Sequence, residues 1–328
     1  MPFTTLVTLI LAPVLLFALW HVTANSSPPV PAFLRNKRII LLIAHPDDES
    51  MFFNPTLQAL TDPQLQNHVK ILCLSTGDSE GLGQTRRLEL EKAAVTLGLR
   101  RREDVFVLDD ERFRDGMHED WKPEEVVRVL ASAFAPHLNA TAPAEREKEK
   151  DRRKGKSKHT KFSSSSSATT TGTTAKTSPP PEGPRASIDV LITFDEHGIS
   201  GHPNHKALYH AATLFVKQIM KGHAGCACPV ALYTLPSINI VRKYSFILDA
   251  VPTLLGGIYG TIFGNVMGTR GTGNKEGADR LVFVNDLPRY WKARAAMTDG
   301  HKSQMIWFRW GWIALGRYMV VNDLRSEK

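Results

Sequence analysis

The chain has 328 residues, of which 42% are hydrophobic and 23% are charged, and its formal net charge is +8. A chain of this length can bury a large core, which suits one sizeable globular domain with additional segments. Residues 145–186 alone hold eleven Lys or Arg and five Asp or Glu, so the basic charge belongs mainly to one segment and does not indicate a nucleic-acid-binding protein.

The N-terminal stretch, residues 3–20, is almost wholly apolar, and no charged residue precedes Arg35. Roughly 17 or more apolar residues are enough for a helix that spans a bilayer. The first cations lie on the C-terminal side of this stretch, and the positive-inside rule then places the rest of the chain in the cytosol. We predict a single-pass transmembrane anchor over residues 1–24. The alternative is a signal peptide cleaved near residues 22–24, although the usual positive charge before its apolar part is missing.

The body of the chain alternates strand-like and helix-like stretches. Continuous apolar runs, typical of strands buried on both faces, lie at residues 38–44, 69–75 and 188–194. Further strands are predicted at residues 104–108, 229–235 and 280–284. Helices are predicted from residue 49 to about 60, and at residues 84–97, 123–135 and 203–220. This alternation predicts an α/β fold with a doubly wound, mainly parallel, Rossmann-like sheet, in which ligands bind beyond the C-terminal ends of the strands.

Residues 140–186 interrupt the alternation. They contain a mixed-charge run, a serine tract and three consecutive prolines, a composition that cannot bury enough apolar surface to offset the entropy lost on ordering. We predict a disordered, low-complexity basic insert that divides one globular domain into residues 37–139 and residues 187–325. A polybasic contact with anionic lipid is the functional alternative for this insert.

The first cluster of chemically active side chains follows the first predicted strand. Residues 44–49 read Ala-His-Pro-Asp-Asp-Glu, which places three carboxylates beside one imidazole. Like charges this close repel one another unless a cation or protons relieve them, and a histidine with carboxylates suits zinc. The alternative is an ordinary capped loop, because Asp is a common N-cap and Pro-Asp is common in turns.

A second cluster, residues 194–205, also follows a buried strand and opens a helix. His202 and His205 are separated by two residues, so a turn from strand to helix can direct both imidazoles into one cavity. Alternatively, both are exposed cap and first-turn residues. Because a parallel sheet brings the ends of its strands together, the two clusters combined favour a metal site more strongly than either does alone.

A third cluster, residues 77–89, follows the second strand. Its glycines allow a ligand to approach closely, and Arg86 or Arg87 can hold a phosphate group. The alternative is an ordinary turn between a strand and a helix that carries surface charges. Taken alone, this cluster favours the ordinary turn.

Taken together, these stretches resemble the LmbE-like deacetylases, and most closely the N-acetylglucosaminyl-phosphatidylinositol de-N-acetylases of GPI-anchor synthesis. The matching stretches are AHPDDE at 44–49, GxTRxxEL at 83–90, TFDEHGISGHPNHKALYHA at 193–211, YTL at 233–235 and HKSQMIWFRW at 301–310. The resemblance covers nearly all of residues 37–325, and the insert departs from the compact family pattern. It implies an LmbE-like fold. It also implies hydrolysis of the glycolipid's acetamide to glucosaminyl-phosphatidylinositol and acetate, the second step of GPI-anchor biosynthesis.

The resemblance also implies a metal centre. The zinc ligands of the family match His45, Asp48 and His205. Three protein ligands leave one position of a tetrahedral zinc ion open for water. Two histidines and one carboxylate also suit Fe²⁺, so another divalent metal is a possible occupant.

The resemblance implies roles for four further residues. Asp47 matches the general base, and His202 matches the residue that stabilises the oxyanion or protonates the leaving amine. Asp195 matches an acid that orients His202. Arg86 matches a substrate-side arginine.

The lipid-linked branch of the family implies a membrane glycolipid as substrate and a place on the endoplasmic reticulum membrane, with the catalytic domain facing the cytosol. An enzyme that stays on the surface carrying its substrate gains effective concentration, so the lipid bilayer is an expected partner. Residues 241–259 are predicted either to lie at the bilayer interface or to form a core helix. For the aromatic residues of 307–312 we favour burial in the core over an interfacial belt.

Two other functions compete with this interpretation. One is a deacetylase that acts on a soluble N-acetylglucosamine conjugate, against which the predicted anchor counts. The other is a non-catalytic subunit of a glycolipid-synthesis complex, against which the complete set of candidate site residues counts.

Overall fold

The structure is a computed structural model that describes residues 3–140, 183–256 and 278–327. Almost all of the predicted insert at 140–186, and residues 257–259 of the stretch 241–259, lie outside the described residues. The N-terminal stretch forms helix α1, Phe3–Asn25. Within the described ranges, no helix has both the length and the apolar character that a bilayer crossing requires, and the predicted transmembrane anchor is therefore not confirmed.

The last turns of α1 pack against the rest of the protein through one buried tryptophan. The indole Nε1 of Trp20 donates a hydrogen bond of 2.7 Å to the carbonyl oxygen of Asn285. Its ring also makes edge-to-face contacts with Phe246 and Tyr290, with ring centroids 5.2 Å apart in both pairs. Edge-to-face packing of this kind adds to the free energy of burial, so this end of α1 is attached to the globular domain.

The described strands form one seven-stranded sheet in the order β3-β2-β1-β4-β5-β7-β6. Strands β1 to β5 pair in parallel, and β7 is antiparallel to both of its neighbours. The prediction of an α/β fold with a mainly parallel sheet is confirmed. The strands are β1 Arg38–Ile43, β2 His68–Cys73, β3 Val105–Val107, β4 Val190–Phe194, β5 Ala231–Leu235, β6 Arg280–Val284 and β7 Val321–Glu327.

The helices that follow α1 agree closely with the sequence pattern where capping signals are strong. Pro123 and Pro203 begin two helices at the position where a missing N–H costs nothing, and Gly98, at φ 111°, follows the C-cap of another. The helices are α2 Asp48–Met51, α3 Asn54–Leu60, α4 Gly83–Thr96, α5 Pro123–Phe134, α6 His137–Ala140, α7 Gly198–Gly201, α8 Pro203–Met220, α9 Ile240–Lys243, α10 Leu287–Ala295 and α11 Trp307–Leu315.

The order of the strands reverses between β1 and β4, which fixes the place where a ligand can bind. These strands are adjacent and parallel, with Leu41 opposite Ile192, and both are buried. The segments that follow Ile43 and Phe194 therefore emerge side by side. A crevice at the carboxyl ends of strands, at the switch in strand order, is the usual ligand site of such sheets.

Candidate active site

The loop after β1 is closed by its own carboxylate. Asp48 Oδ2 accepts hydrogen bonds from the backbone N–H groups of Ala44 (3.0 Å) and His45 (2.9 Å). This leaves Asp48 Oδ1 to face the second loop. Asp47 is the residue immediately before helix α2, and its φ is 117°. Non-glycine residues rarely adopt this conformation, and it is retained where surrounding contacts hold it.

The loop after β4 delivers His205 to the same place. Its imidazole stacks on Phe194, with ring centroids 3.9 Å apart and an interplanar angle of 4°. Nδ1 of His205 lies 3.1 Å from the carbonyl oxygen of Gly198, to which it donates, and this assigns the lone pair of the neutral ring to Nε2. Nε2 lies 3.2 Å from Asp48 Oδ1, but it is buried and makes no hydrogen bond within the described residues.

Two electron-rich atoms at this distance require a proton or a metal ion between them. The donor atoms of His45, Asp48 and His205 all lie within 4.8 Å of one another, and all three residues are buried. Two imidazoles and one carboxylate are a donor set that suits zinc. The hydrogen bond from His205 Nδ1 to a backbone carbonyl is the outer contact that commonly orients a metal-binding histidine. The three residues therefore fit a divalent metal ion, in agreement with what the family resemblance implies.

Burial and charge set the protonation of these groups in the metal-free protein. Burial lowers the pKa of His45 below its ordinary value, which favours the neutral ring that can bind a metal. Burial opposes ionisation of Asp48 and protonation of His205. The attraction between the Asp48 carboxylate and the two histidines outweighs this effect of burial. It lowers the pKa of Asp48 and raises the pKa of His205. Metal binding at this group therefore competes with protonation of His205.

A further carboxylate, Asp115, joins the group from the loop between β3 and α5. Asp115 Oδ1 lies 3.1 Å from His45 Nε2 and 3.9 Å from His202 Nε2, and these three residues form a second group with metal-binding geometry. Asp115 was not predicted as a site residue, because it lies in none of the three sequence clusters. The available signal was its position after a third parallel strand, whose C-terminal end reaches the same edge of the sheet.

His202 lies beside the metal-binding group and is partly exposed. Its Nδ1 accepts a hydrogen bond from the backbone N–H of Asn204 (3.3 Å), so the neutral ring carries its hydrogen on Nε2. Burial, together with the neighbouring His45 and His205, lowers the pKa of His202 to about 4. A neutral ring with a hydrogen on Nε2 can donate a hydrogen bond to a developing oxyanion.

Asp47 is held by two arginines from distant parts of the chain. Its Oδ2 lies 3.3 Å from Arg86 Nη2 and 2.7 Å from Arg309 Nη2. Arg86 is buried, and its guanidinium also donates to the carbonyl oxygens of Gly77 and Pro46. Arg86 therefore supports the loop that carries Asp47, and its predicted contact with substrate remains a prediction. Arg309 was missed as a site residue, although it lies in the matching stretch at 301–310.

Glu49 connects the same loop to another residue that the sequence analysis missed. Its Oε2 accepts a hydrogen bond from the backbone N–H of Asp47 (3.1 Å), and its Oε1 lies 2.6 Å from His301 Nε2. Both Glu49 and His301 are buried. The attraction of Glu49 outweighs burial and raises the pKa of His301. The pair of Glu49 and His301 therefore holds the backbone of Asp47 in place.

Asp195 is not brought to the metal-binding group. Its Oδ1 accepts hydrogen bonds from the hydroxyl of Ser237 (2.7 Å) and the backbone N–H of Gly198 (2.9 Å). These contacts stabilise the turn that leads to His202 and His205. No contact between Asp195 and His202 occurs among those found in the described residues, so its predicted orienting role remains a prediction.

A cleft of about 380 Å³ opens beside Asp115, within the size range of small-molecule sites. Carboxylates supply much of its lining, and such oxygens accept hydrogen bonds from hydroxyl groups. The lining residues include Ser75, Thr76, Asp78, Asp109, Asp110 and Glu119. The cleft therefore suits a polyhydroxylated group, and Asp115 is the lining residue that it shares with the second group of metal-binding geometry.

A family profile and the named relatives point to one family. The profile of the family described as PIG-L, GlcNAc-PI de-N-acetylase, matches residues 40–216. A protein of Arthroderma benhamiae named N-acetylglucosaminyl-phosphatidylinositol de-N-acetylase is 44% identical over 98% of this chain and 98% of its own length. A Schizosaccharomyces pombe protein named as a probable enzyme of the same kind is 33% identical over 92% of each chain. A solved deacetylase of the teicoplanin pathway shares 12% identity over 89% of this chain and 99% of its own, with a TM-score of 0.41.

Proposed function

The chain belongs to the PIG-L family of GlcNAc-PI de-N-acetylases, and we propose that it hydrolyses the acetamide of N-acetylglucosaminyl-phosphatidylinositol. The products are glucosaminyl-phosphatidylinositol and acetate, in the second step of GPI-anchor biosynthesis. The observation that carries this proposal is the buried group of His45, Asp48 and His205, with Asp47 on the same loop.

The metal proposed for this group is Zn²⁺, and Fe²⁺ is the other ion that the donor set suits. Its three ligands would be His45, Asp48 and His205. When bound, such an ion lowers the pKa of a water molecule and polarises a carbonyl oxygen. The orphaned Nε2 of His205, buried opposite Asp48 Oδ1, supports this assignment.

The remaining chemistry is assigned to the side chains beside this group. The water oxygen bonds to the acetamide carbon while the carboxylate of Asp47 accepts the water's proton. The carbonyl oxygen becomes negative, and the N–H on Nε2 of His202 donates a hydrogen bond to it. The bond between carbon and nitrogen then breaks, and the sugar amine leaves with the proton that Asp47 held. Arg86 and Arg309 hold the carboxylate of Asp47 in place during both transfers.

The sugar is proposed to occupy the cleft beside Asp115, where carboxylates face its hydroxyl groups. The lipid part of the substrate implies that the protein acts at a bilayer, and we propose the endoplasmic reticulum membrane as its place of action. This location follows from the proposed substrate, which stays in the membrane throughout the reaction.

The test is a comparison of two substrates with the purified full chain. Acetate release is measured from detergent-dispersed N-acetylglucosaminyl-phosphatidylinositol and from a soluble N-acetylglucosamine conjugate. The proposal predicts that the glycolipid has the higher kcat/KM. A higher kcat/KM for the soluble conjugate would assign the protein to the alternative substrate class. No acetate from either substrate would indicate a non-catalytic subunit.

A further inference from the structure

The exposed tryptophans of the protein are concentrated on one surface. All six tryptophans lie in the described residues, and three of them are buried: Trp20, Trp121 and Trp312. The other three belong to α10 and α11 and are 54% (Trp291), 85% (Trp307) and 49% (Trp310) exposed. We call these three residues, with the exposed Phe308, the aromatic surface. The sequence analysis favoured burial of residues 307–312 in the core, and for Trp307, Phe308 and Trp310 that expectation is wrong.

The aromatic surface is organised around a cation. The guanidinium of Arg294 lies 5.5 Å from the ring centroid of Trp291 and 5.7 Å from that of Trp310. The rings of Trp307 and Phe308 meet edge to face, 5.9 Å apart. An Arg between two tryptophan faces is a favourable cation–π arrangement. It joins α10 and α11 into one exposed patch.

The charge of this region has one sign. Helices α9, α10 and α11 together contain six Lys or Arg and no Asp or Glu, although the chain as a whole has 41 Lys or Arg and 33 Asp or Glu. Tyr244, the residue that follows α9, makes an edge-to-face contact with Trp312 of α11. Helix α9 itself exposes Ile240 and Val241. Two of these cations are paired with carboxylates outside the helices, Arg242 with Asp249 and Arg309 with Asp47. The remaining cations, together with the exposed aromatic side chains, are complementary to an anionic lipid bilayer.

The aromatic surface is also attached directly to the candidate active site. Arg309 lies on α11 between Phe308 and Trp310, and its guanidinium contacts Asp47 at 2.7 Å. On the other side, Lys243 of α9 donates a hydrogen bond of 3.0 Å to the carbonyl oxygen of Ile199, in the loop that leads to His205. The helices that carry the exposed apolar side chains therefore contact both loops of the catalytic group.

We propose that the aromatic surface docks on the headgroup region of an anionic phospholipid bilayer and so positions the catalytic group at the lipid surface. Trp and Phe side chains partition to this depth of a bilayer, and Lys and Arg nearby are attracted to anionic headgroups. The inference rests on the proposed function, because a lipid substrate must reach Asp47 without leaving the bilayer. Docking through α11 brings the membrane to that carboxylate.

The test uses the full chain reconstituted with vesicles of phosphatidylcholine and phosphatidylinositol whose acyl chains carry bromine, a quencher of tryptophan fluorescence. Brominated vesicles are expected to quench the wild-type fluorescence, and the double variant Trp307→Ser/Trp310→Ser is expected to lose most of that quenching. The KM for glycolipid presented in vesicles is expected to rise roughly tenfold in the double variant, because the apolar burial of two aromatic side chains is lost. Its kcat on detergent-dispersed substrate is expected to stay unchanged.

The matched control is Phe106→Ser, which removes an exposed aromatic side chain from β3, at one edge of the sheet. This control is expected to keep both the quenching and the KM of the wild type. Wild-type fluorescence that brominated vesicles leave unquenched would overturn the proposal and would assign the aromatic surface to a protein partner. Equal KM values for the double variant and the wild type in vesicles would also overturn it. Because quenching requires no catalysis, a failure of the proposed function would be seen separately, as absence of acetate release from every substrate.

Discussion

Two histidines near the start of α8 differ in what surrounds them. His205 is buried beside Asp48, whereas the side chain of His197 is 73% exposed. We predict that His205→Gln loses most of the zinc that the wild type retains after dialysis, because one of three ligands is removed. His197→Gln is expected to retain it. Metal analysis of the dialysed proteins measures both, and equal zinc content in the two variants would contradict the assigned ligand set.

The pair of Glu49 and His301 gives a second prediction at this scale. His301→Ala removes the partner of Glu49, whose other oxygen holds the backbone of Asp47. Loss of such an outer contact typically lowers activity about 10–100-fold. We expect the fall in kcat with KM nearly unchanged, because His301 touches the catalytic loop and not the cleft.

Steady-state kinetics on detergent-dispersed glycolipid measure kcat and KM separately for the His301→Ala variant. His301→Gln keeps a side-chain donor toward Glu49 and is expected to restore part of kcat. Lys302→Ala, at the exposed neighbouring position, is the control and should behave as the wild type. A rise in KM without a fall in kcat would contradict a positioning role for His301.

At the residue scale, the sequence predicted the metal-binding group but not its surroundings. His45, Asp48 and His205 lie in two motifs that follow buried strands, and local sequence associated these motifs with one metal site. The resemblance to the deacetylase family implied which of their residues are the ligands. Asp115 lies in none of these motifs, and His301, although it begins the matching stretch at 301–310, does not follow a buried strand. They reach the site only because the tertiary fold brings distant loops to one edge of the sheet, and no local pattern contains that information.

The turn between β4 and α8 depends on two glycines with positive φ. Gly198 has φ +62° and Gly201 has φ +79°. A Cβ atom on Gly198 would lie 2.8 Å from the Cβ of His205, whereas a Cβ on Gly201 would meet no atom within 4 Å. Both alanine variants carry the backbone strain of a positive φ, but only Gly198→Ala also displaces a metal ligand.

We therefore predict that Gly198→Ala lowers zinc affinity and kcat much more than Gly201→Ala does. The difference between them isolates the steric effect on His205, since the backbone strain is common to both. Zinc titration with a competing chelator measures the affinity. Equal losses in the two variants would show that the strain of the turn, and not the position of His205, limits the site.

At the scale of elements, the sheet shows where sequence patterns fail. Strand β7, Val321–Glu327, was not predicted, because its residues are largely polar and do not form an apolar run. Its buried polar side chains are satisfied by distant partners: Asn322 accepts a hydrogen bond of 2.7 Å from Thr56, and Asp323 Oδ2 lies 2.7 Å from Arg280 Nη2. A buried polar strand becomes favourable only when such partners are in place, and these partners are remote in sequence.

The predicted single helix after β1 is likewise two helices, α2 and α3, separated at Phe52 and Phe53. The ring of Phe53 packs edge to face on Phe194, the residue on which His205 stacks, with centroids 5.0 Å apart. This packing connects the break between the helices to His205, and it is a tertiary contact that helical periodicity does not reveal.

For the whole molecule, a buried ion cluster joins the C-terminal segments to the sheet. Arg317 is fully buried and pairs with both Asp249 and Asp323. Burial opposes ionisation of Asp249, but its hydrogen bonds with Arg242 and its attraction to Arg317 outweigh that effect and lower its pKa. The ionised carboxylate therefore stabilises the fold above the pKa of Asp249 in the unfolded chain, and this contribution is lost as the pH falls through the lower, folded value.

We predict that Asp249→Asn lowers the free energy of unfolding at pH 7 by about 3 kcal/mol, because a buried arginine loses one of its partners. The difference from the wild type should shrink as the pH falls below about 4, where the unfolded aspartate is protonated. Urea unfolding at several pH values measures this difference in the free energy of unfolding. Asp110→Asn, which breaks a surface pair with Arg112, is the control and should have little effect. A difference independent of pH would contradict the ionised state of Asp249.

The central claim is that the group of His45, Asp48 and His205 holds a catalytic metal beside Asp47. The most direct test is acetate release from N-acetylglucosaminyl-phosphatidylinositol by the purified protein as isolated, after chelation and after return of zinc, with Asp47→Ala measured alongside. We expect chelation to abolish acetate release, zinc to restore it, and Asp47→Ala to bind zinc without activity. Full activity after complete chelation, or normal activity of Asp47→Ala, would contradict the account.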